Sequence, residues 1–400
     1  MKILVVSFYY EPEIGAAPSR ITNLVHGLKE RGVDVNVLTC LPNYPKGRIF
    51  DGYRGRFSMK ENMDGVNVYR YWTYATVSKG VVRRALAMTS FAVTMWAFGF
   101  KRKLIRSYDK IIIQSPPIMV SSSAVSLFKR CYGKNVVLNV SDLWPGSALE
   151  LGFMKENSLS YKYTARQERK IYRLSDAVMG QSNEILDRVR SFEPDKRLFL
   201  YRNLSRISSD QQTLKEKTPS PRNLKIVYAG LLGVPQDVLS IVRNVDFESA
   251  GAQFHIYGGG NQADDIKKEI AAGKKNVFYH GVIAKEQMNK LMGEYDVSLI
   301  ALAKSITGAV PSKIFDTLPI GIPLLFCGTG EGAAIVRENG FGLVSEPSDF
   351  RMIENKIREF AMMDTDEFHA YSVRCKDASA GSFNFESQFD SFMEFLNRDL

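Results

Sequence analysis

The sequence is poor in the residues that build disulfide frameworks and metal sites. Its 400 residues include four cysteines and four histidines. The cysteines are far apart and form no CxxC pair: Cys40, Cys131, Cys327 and Cys375. We therefore expect neither a disulfide scaffold nor a metal site, and the composition fits a reducing, cytoplasmic compartment. The histidines also lack metal-ligand spacing, and we interpret His255 and His280, inside predicted strands, as hydrogen-bonded core residues.

The sequence also lacks a recognisable signal peptide or membrane span. The apolar run Ile3–Val6 is too short for a signal peptide, so we interpret it as a first strand and expect the mature protein to begin at residue 1. The charge-free stretch Ala85–Phe100 has sixteen residues, fewer than the ~20 that a span needs. It is typical of a buried helix.

Basic clusters flank that stretch, Arg83-Arg84 before it and Lys101–Lys103 after it. Each Lys or Arg near an anionic membrane contributes on the order of 1 kcal/mol to binding. We therefore expect the segment Ser78–Lys110 to have two roles. Its apolar residues form a buried helix, and its basic residues make peripheral contact with the inner membrane surface. The net charge of +10 also favours an anionic partner, without distinguishing nucleotide, membrane and nucleic acid.

Strand and helix patterns alternate in two arrays, separated by the polar, Pro-containing stretch Ser205–Asn223. This pattern predicts an α/β protein with two doubly wound, Rossmann-like domains that face each other across a cleft. The expected parts are a domain at 1–204, a linker at 205–223, a second domain at 224–375, and a C-terminal helix at 376–400 that packs back on a domain. A stripe of phenylalanines from Phe385 to Phe395 predicts that this helix contributes to the core.

Several common chemical motifs are missing. No Walker loop, serine elbow or carboxylate pair at fixed spacing is present. Gly258-Gly-Gly260 does not complete GxGxxG, because Ala263 stands at the last position. Asp364-Thr-Asp366 has metal-binding spacing, but we interpret it as a helix N-cap.

Residues Lys304–Phe326 predict a loop and a short helix between two buried parallel strands. We expect Ser312 to cap that helix, with Lys313 in its first turn and Asp316 one turn later on the same face. Free N–H groups and a lysine at a helix start can bind phosphate, and Asp316 can accept hydrogen bonds from hydroxyl groups. The alternative is an ordinary capped helix with a surface lysine.

In the first half, three loops follow predicted strands. Gly15 lets a ligand approach the backbone, the loop Pro42–Gly47 has the composition of a binding loop, and Asp142 is the best catalytic or acceptor-binding candidate. The alternatives are a packed surface loop and an Asx turn or helix N-cap at Asp142.

Several motifs in order resemble family-4 glycosyltransferases of the GT-B fold, and most resemble the WbuB-like branch that builds O-antigen and capsule repeat units. These motifs are EPEIGAAPSR, LPNYP, SPP, SDLWP, AGLLG, GAVPSKIFD, GIPLL and GFGLV. The resemblance implies a retaining, metal-independent transfer from a nucleotide-diphosphate sugar, with the donor in the C-terminal domain. It places Asp316 at the second Glu of the family's E-x7-E motif, whereas Gly308 stands where the first Glu is expected.

The resemblance also implies a set of substrate contacts. Around the diphosphate we expect Gly15, Gly230, Gly233 and the backbone of Ala309, Val310, Pro311 and Ser312. The loop after Gly233 lacks the basic residues of many relatives, so Gln236, Lys304 or Lys313 would compensate. The remaining substrate-binding candidates are Glu13, Arg20, Asn43, Tyr44 and Gly258.

These expectations combine into one function. The chain is predicted to move an N-acetylated hexosamine or deoxyhexosamine, such as N-acetylfucosamine, from a UDP-sugar to an undecaprenyl-diphosphate-linked saccharide, with Asp142, Lys313 and Asp316 as catalytic residues. No cofactor and no nucleic-acid partner are expected. The alternatives are a nucleotide-sugar 2-epimerase of the same fold and an inactive scaffold subunit.

Overall fold

The computed structural model describes residues 1–76, 81–206 and 223–398. Most of the predicted linker, residues 207–222, and residues 78–80 of the predicted membrane-contacting segment lie outside the described residues. The described chain forms two compact units. Unit 1 consists of residues 1–202 and the C-terminal residues from Ser391, and unit 2 consists of the described residues between Asn203 and Asp390.

Unit 1 contains an eight-stranded sheet with the strand order β3-β4-β2-β1-β5-β6-β7-β8. Its strands are β1 (Lys2–Val6), β2 (Asp34–Cys40), β3 (Ser58–Met63), β4 (Val66–Tyr71), β5 (Lys110–Ser115), β6 (Asn135–Val140), β7 (Ala177–Gly180) and β8 (Arg197–Leu200). All neighbours pair in parallel except β3 and β4. Central strands such as β5 are buried along their whole length, as expected for a sheet with helices on both faces.

The antiparallel hairpin β3–β4 was not predicted. Strand β3, at the edge of the sheet, has the polar sequence SMKENM and alternates exposed and half-buried positions. Such an edge strand carries little hydrophobic signal, because its stability comes from pairing with β4.

The helices of unit 1 cover the sheet. They are α1 (Ala16–Glu30), α2 (Val81–Thr94), α3 (Arg102–Arg106), α4 (Ile118–Val125), α5 (Gly146–Glu150), α6 (Leu159–Leu174) and α7 (Asn183–Phe192). The predicted buried helix Ala85–Phe100 is α2 followed by a 3₁₀ turn, Met95–Phe100. Phe91, Met95 and Phe98 are fully buried, whereas Phe100 is 87% exposed. No helix among the described residues has both the length and the apolar composition to cross a bilayer.

Unit 2 contains a six-stranded parallel sheet with the strand order β11-β10-β9-β12-β13-β14. Its strands are β9 (Leu224–Ala229), β10 (Ala252–Tyr257), β11 (Val277–Gly281), β12 (Val297–Ala301), β13 (Leu324–Cys327) and β14 (Gly342–Ser345). The predicted succession of β12, a short helix and β13 is confirmed, and β12 and β13 pair directly in parallel.

The remaining helices run to the end of the described chain. They are α8 (Val238–Asn244), α9 (Ala263–Ala271), α10 (Lys285–Met292), α11 (Lys313–Thr317), α12 (Gly330–Glu338), α13 (Phe350–Met362), α14 (Thr365–Ala380) and α15 (Phe385–Asn397). Helix α14 is continuous through residues 375 and 376, where we predicted the boundary between the second domain and the C-terminal helix. Phe385, Phe389 and Phe392 are buried and Phe395 is half-buried, so the predicted core stripe of α15 is confirmed at its first three positions.

Both sheets have a point where the strand order reverses. In unit 1, β5 pairs with β1 on the side opposite to β2, and in unit 2, β12 pairs with β9 on the side opposite to β10. Loops that leave the carboxyl ends of such strands diverge and leave a crevice, which is where open α/β sheets bind ligands. The topology therefore predicts that ligands bind near the loops after β1 and β5 in unit 1, and near those after β9 and β12 in unit 2.

A buried arginine ties the hairpin to the loop after β1. Arg70 of β4 is fully buried and pairs with Glu61 of β3. It also donates hydrogen bonds to the carbonyls of Glu11 and Cys40. Because Glu11 lies in the loop after β1 and Cys40 ends β2, one side chain fixes the backbone of two neighbouring segments on the same side of the switch point.

Replacing Arg70 with methionine should lower the free energy of unfolding of unit 1 by about 3 kcal/mol, because it leaves a partly buried carboxylate without its partner. Urea denaturation measures this cost. The control is Arg54→Met, which removes an exposed ion pair of 3.1 Å with Asp51 and should cost less than about 1 kcal/mol. Equal losses of stability in the two variants would contradict the role of Arg70 in holding the hairpin and the loop after β1 together.

Candidate functional site

Two loops of unit 2 lie together at the switch point of its sheet. The amide of Ala303, after β12, donates to the carbonyl of Pro235, after β9, over 2.8 Å. The first loop contains Gly230, Gly233 and Gln236, and the second leads into α11. The parallel pairing of β9 with β12 therefore brings together two sets of predicted donor-binding residues that are far apart in sequence.

The core of this site is a contact between Lys313 and Gly230. A Cβ atom at Gly230 would lie 1.9 Å from Nζ of Lys313. The backbone φ of Gly230, 156°, is also one that side chains rarely adopt. The ammonium lies 4.3 Å from the centroid of the Tyr228 ring, a cation–π distance. Gly230 is thus a glycine because its missing side chain makes room for the lysine amine.

The environment of Lys313 makes its charge easy to lose. Burial lowers the pKa of the Lys313 amine to about 8, and the nearby Asp316 carboxylate only partly opposes this effect. Lys313 forms no ion pair among the residues described here. Its side chain is half-buried rather than on the open surface, which does not fit the alternative of an ordinary surface lysine. A desolvated cation without an anionic partner among the described residues is poised to bind an anion.

Helix α11 differs from the prediction in one respect. Ser312 occupies the N-cap position, but its backbone is already helical and its side chain makes no capping hydrogen bond. The predicted capping role is therefore wrong. The helix is only five residues long and continues into a 3₁₀ turn, Leu318–Ile320, so its geometry is set by packing more than by a cap.

Gly258 and Gly260 have a structural explanation. A Cβ atom at Gly258 would lie 1.8 Å from the Gly230 carbonyl oxygen, and one at Gly260 would lie 2.2 Å from that of Leu232. Backbone hydrogen bonds join the two loops, from Gly230 to Tyr257 and from Leu232 to Gly259, each over 2.9 Å. The glycines after β10 thus allow close packing against the loop after β9.

The other predicted donor contacts of unit 2 differ in exposure. Lys304 is exposed, Val310 is buried, and Ala309, Pro311 and Ser312 are half-buried. Oε1 of Gln236 is buried without a hydrogen-bond partner in the described structure. A Cβ atom at Gly233 would lie 3.1 Å from that oxygen, so Gly233 gives the Gln236 side chain its space.

Gly308 stands where the resemblance leads one to expect a glutamate. Its backbone φ is 83°, a left-handed conformation that glutamate rarely adopts. The loop after β12 therefore follows a path here that favours glycine, and a glutamate could not be restored at this position without backbone strain.

In unit 1, the carboxylate of Glu13 holds together two loops that the sequence predicts to bind substrate. Its buried carboxylate accepts hydrogen bonds from the amides of Asn43 and Tyr44, each over 2.8 Å, and from that of Tyr10 over 3.3 Å. Burial raises the pKa of Glu13, and these three donors oppose the shift. Glu13 thus joins the loop after β1 to the loop after β2.

Gly15 and Tyr44 fit against one another. A Cβ atom at Gly15 would lie 2.9 Å from Cε1 of Tyr44. The Tyr44 ring packs edge-on against Tyr9, with centroids 5.5 Å apart, and remains 43% exposed. The side chain of Asn43 is buried and donates to the carbonyl of Leu41 over 3.1 Å. Of these residues, Tyr44 therefore presents an accessible ring, while Asn43 supports the loop.

Asp142 follows β6 and lies near two groups that affect its ionisation. Burial raises the pKa of the Asp142 carboxyl, while the Ser147 hydroxyl and the charge of Arg20 lower it. Burial also lowers the pKa of Arg20 to about 10, and the Asp142 charge opposes that shift. Asp142 is not the N-cap of α5, a position that Pro145 occupies. The carboxylate and guanidinium thus come together from distant parts of the sequence.

The remaining polar motifs have local structural roles. Asp364 caps α14 by accepting from the amide of Glu367 over 2.8 Å, as interpreted from the sequence. His280 is exposed and is therefore not the core residue interpreted from the sequence, whereas His255 is half-buried. Their ring nitrogens lie 3.0 Å apart in a stacked pair. No group of three or more metal-binding side chains occurs within the described ranges.

Sequence reasoning missed two residues near these sites. Tyr228 lies under the Lys313 ammonium, and Ser147 lies near Asp142. Tyr228 occupies a buried position of β9, where an aromatic residue is usual, so only the proximity of α11 gives it a further role. Ser147 is in the first turn of α5, within five residues of Asp142, and this short separation was the available signal.

Comparison with known proteins identifies the fold and the class of relatives. Residues 15–201 match the family model described as a glycosyl transferase 4-like domain. Over its full length the chain resembles sucrose-phosphate synthase (tll1590) from Thermosynechococcus elongatus, with a TM-score of 0.75, 14% identity and coverage of 100% of this chain and 98% of the other. The protein therefore has the GT-B fold, with two Rossmann-like domains.

Two further proteins resemble the chain, one in sequence and one in structure. The chain is 26% identical over 308 residues to "Probable glycosyltransferase WbjE" of Pseudomonas aeruginosa, a match that covers 70% of this chain and 74% of that protein. It also resembles Anabaena Alr3699/HepE in complex with UDP and glucose, with a TM-score of 0.67, 13% identity and 99% coverage of both chains. The chain is thus similar to GT-B glycosyltransferases, and its placement in the WbuB-like branch stays a prediction.

The contact between Gly230 and Lys313 can be tested by Gly230→Ala. We expect it to lower the free energy of unfolding of unit 2 by about 2 kcal/mol, from backbone strain and from displacement of the amine. Urea denaturation measures the cost.

The matched control is Gly273→Ala, because Gly273 also has a positive φ but no atom within 4 Å of its missing Cβ. In a Lys313→Met background the cost of Gly230→Ala should change by about 1 kcal/mol, since contacting residues couple. Strict additivity would show that the two residues do not interact.

Proposed function

We propose that the protein is a retaining glycosyltransferase that moves a sugar from a UDP-sugar to a polyprenyl-diphosphate-linked saccharide. The observation that carries this proposal is the desolvated Lys313 amine at the switch point of unit 2, over Tyr228 and beside Gly230. A nucleoside diphosphate would supply this ammonium with an anionic partner.

The relatives support a nucleotide-sugar donor. One structural neighbour, Anabaena Alr3699/HepE, is described in complex with UDP and glucose. The carboxylate of Asp316 acts on Lys313 electrostatically. We propose that it accepts hydrogen bonds from the hydroxyl groups of the donor ribose. We assign the diphosphate to Lys313 and to the backbone around Gly230, Gly233 and Ser312, with Gln236 and Lys304 as further candidates.

The proposed transfer needs no protein nucleophile. The bond between the anomeric carbon and the diphosphate oxygen breaks, and the acceptor oxygen bonds to the same face of that carbon. The acceptor proton moves to the departing phosphate. Charge develops on the diphosphate in this step, so Lys313 would contribute to the rate by electrostatic stabilisation. We expect the reaction to proceed without a metal ion or a cofactor, as the resemblance implies.

For the acceptor we propose a saccharide on a polyprenyl diphosphate, bound by unit 1. Asp142 would orient the acceptor hydroxyl, and the charge of Arg20 favours the ionised form of Asp142. Exposed Trp96 and Phe100 accompany the basic residues Lys101, Arg102 and Lys103. This combination favours peripheral contact with an anionic membrane, on the inner face of a bacterial plasma membrane.

The proposed donor sugar is an N-acetylated hexosamine or deoxyhexosamine, such as N-acetylfucosamine, and the proposed setting is O-antigen or capsule synthesis. Both follow from the sequence resemblance. A 2-epimerase of the same fold would need no acceptor, and an inactive scaffold would bind nucleotide without turnover.

The deciding experiment detects products by mass spectrometry after incubation with a panel of nucleotide sugars, each with and without a synthetic polyprenyl-diphosphate saccharide. A glycosylated lipid that forms only with acceptor supports the proposal. An isomerised donor would favour the epimerase, and nucleotide binding without any product would favour the scaffold. Retained activity in excess chelator tests metal independence, and NMR of the new linkage tests retention.

UDP affinity should depend on the ionisation of Lys313. The pKa of Lys313 in the free protein is lowered to about 8, so the amine loses its proton as the pH rises through that value. Because the diphosphate binds the ammonium, affinity should change little between pH 7 and 8 and fall about tenfold per pH unit just above pH 8. The fall should level off after a total loss of about thirtyfold, when the charge no longer contributes. Isothermal titration calorimetry between pH 6 and 10 measures this dependence.

Two variants of Lys313 separate its charge from other effects. Lys313→Ala should weaken UDP binding about thirtyfold at pH 7. Lys313→Arg should retain binding that does not weaken above pH 8, because a guanidinium remains charged. Wild-type affinity in Lys313→Ala would refute the role of the amine.

Asp142→Asn should lower turnover about a hundredfold while UDP affinity stays intact, because Asp142 is assigned to the acceptor. Steady-state kinetics together with UDP titration measure both quantities. Asp187→Asn is the control, since Asp187 is 66% exposed in a surface ion pair with Arg190. A loss of UDP affinity in Asp142→Asn would contradict the assignment.

A further inference from the structure

An apolar cavity of about 480 Å³ lies in unit 1, apart from the candidate catalytic residues. It lies between the 3₁₀ turn that follows α2 and a π-helical turn, Ser126–Cys131, that continues α4. Its walls are Phe57, Val93, Thr94, Trp96, Ala97, Gly99, Phe100, Arg102, Leu127, Cys131 and Tyr132. Pockets of about 300–1,000 Å³ are typical of small-molecule sites.

The polar atoms of these walls are largely used inside the protein. The indole N–H of Trp96 donates to Ser123 over 2.8 Å, and the Thr94 hydroxyl donates to the Trp72 carbonyl over 2.6 Å. The Tyr132 hydroxyl donates to the Gly99 carbonyl. The cavity therefore offers a ligand aromatic and aliphatic surface, and few hydrogen-bonding groups.

The shape of the cavity depends on two irregular turns. A Cβ atom at Gly99 would lie 3.3 Å from Cδ1 of Leu127, so the glycine sets how closely the two walls approach. The π-helical turn has a wider backbone than an α-helix, and such turns are frequent at functional sites. Both turns interrupt regular helices where they border the cavity.

One wall residue carries an unpaired charge. Arg102 lines the cavity, is exposed, and forms no ion pair among the described residues. The sequence has no Asp or Glu between Asp64 and Asp109, whereas Lys101, Lys103 and Arg106 lie near Arg102. A ligand with an anionic head and an apolar body complements this combination, whereas a neutral apolar ligand or an acidic protein surface matches only part of it.

Three of the large apolar wall residues are exposed, although residues of their type are usually buried. Val93 is 65% exposed, Phe57 57% and Trp96 42%. Contiguous apolar surface of this kind marks a binding site in a protein whose other large apolar residues are mostly buried. Because the walls are mainly aromatic and branched, they suit a branched, unsaturated chain.

We propose that this cavity binds the isoprenoid chain of a polyprenyl phosphate or diphosphate, with Arg102 at the phosphate end. The inference rests on the proposed lipid-linked acceptor and deepens it, because it assigns the lipid to particular residues. The cavity then selects acceptors by their chain, independently of the sugar that Asp142 orients.

The test uses the full chain with Trp72→Phe and Trp144→Phe, which leaves Trp96 as the only tryptophan, since the sequence has three. Farnesyl phosphate, a short and soluble probe, is titrated while Trp96 fluorescence is read. We expect a saturable change, at least tenfold weaker affinity for dodecyl phosphate, and no change with inorganic phosphate alone.

Two variants in this background locate the site. Val93→Asp places a carboxylate in the wall and should weaken farnesyl phosphate binding at least tenfold. Leu86→Asp is the control, because Leu86 is also an exposed apolar residue of α2, at 54%, but does not line the cavity. It should change the affinity less than twofold. Arg102→Gln should weaken farnesyl phosphate binding and leave farnesol binding unchanged. Circular dichroism and thermal unfolding verify that each variant is folded.

Several outcomes would overturn the proposal. Equal effects of Val93→Asp and Leu86→Asp would indicate general membrane contact without a chain site. Equal affinity for dodecyl and farnesyl phosphates would indicate binding of any lipid, and a full response to inorganic phosphate would indicate a phosphate site only.

Transfer assays separate this inference from the proposed function. If the cavity does not bind the chain, Val93→Asp will glycosylate a polyprenyl acceptor as fast as the wild type does. If instead the transferase proposal is wrong, no acceptor will be glycosylated, but Trp96 will still report farnesyl phosphate binding.

Discussion

Parallel pairing of β9 with β12 brings the loop around Gly230 against the loop that leads into α11. The same arrangement recurs in unit 1, where β1 pairs with β5. In both sheets the strand order reverses at this pair, so loops from distant parts of the chain share one edge. Each candidate site residue that follows β1, β5, β9 or β12 depends on this pairing. Glycines at 258 and 260 then allow the neighbouring loop to pack without side chains in between.

The chemistry of unit 2 results from desolvation. Lys313 lies against the Tyr228 ring and over the missing side chain of Gly230, and burial lowers its pKa to about 8. A lysine in this position is costly to keep charged in the free protein, and an anionic ligand removes that cost. In the proposed donor site, the same physical effect accounts both for the affinity of Lys313 for a diphosphate and for the expected dependence of that affinity on pH.

Unit 1 uses buried charge for a different purpose. Glu13 and Arg70 are both buried, and each bonds to backbone groups of two separate segments. Their role is to fix loop geometry, because a buried charge is stable only where its partners are held in place. Asp142 and Arg20, in contrast, influence each other mainly through charge. Buried charges therefore hold the loops after β1 and β2 in place. The ionisation of Asp142, in contrast, depends on nearby charges, and a bound ligand can change it.

The sequence by itself determined the succession of the buried parallel strands, since the apolar runs of β1, β5, β6 and β12 must be buried on both faces. It also determined which loops carry polar residues, and so it indicated Asp142 and Lys313. Only the tertiary structure decided the remainder. The edge strand β3 lacks a hydrophobic signal, Ser312 occupies a cap position without capping, and the cavity near Trp96 needs two irregular turns from separate helices. The contact of Lys313 with Gly230 and Tyr228 joins residues far apart in the chain. Local patterns report burial and turn preference, whereas the pKa of an amine depends on which distant groups surround it.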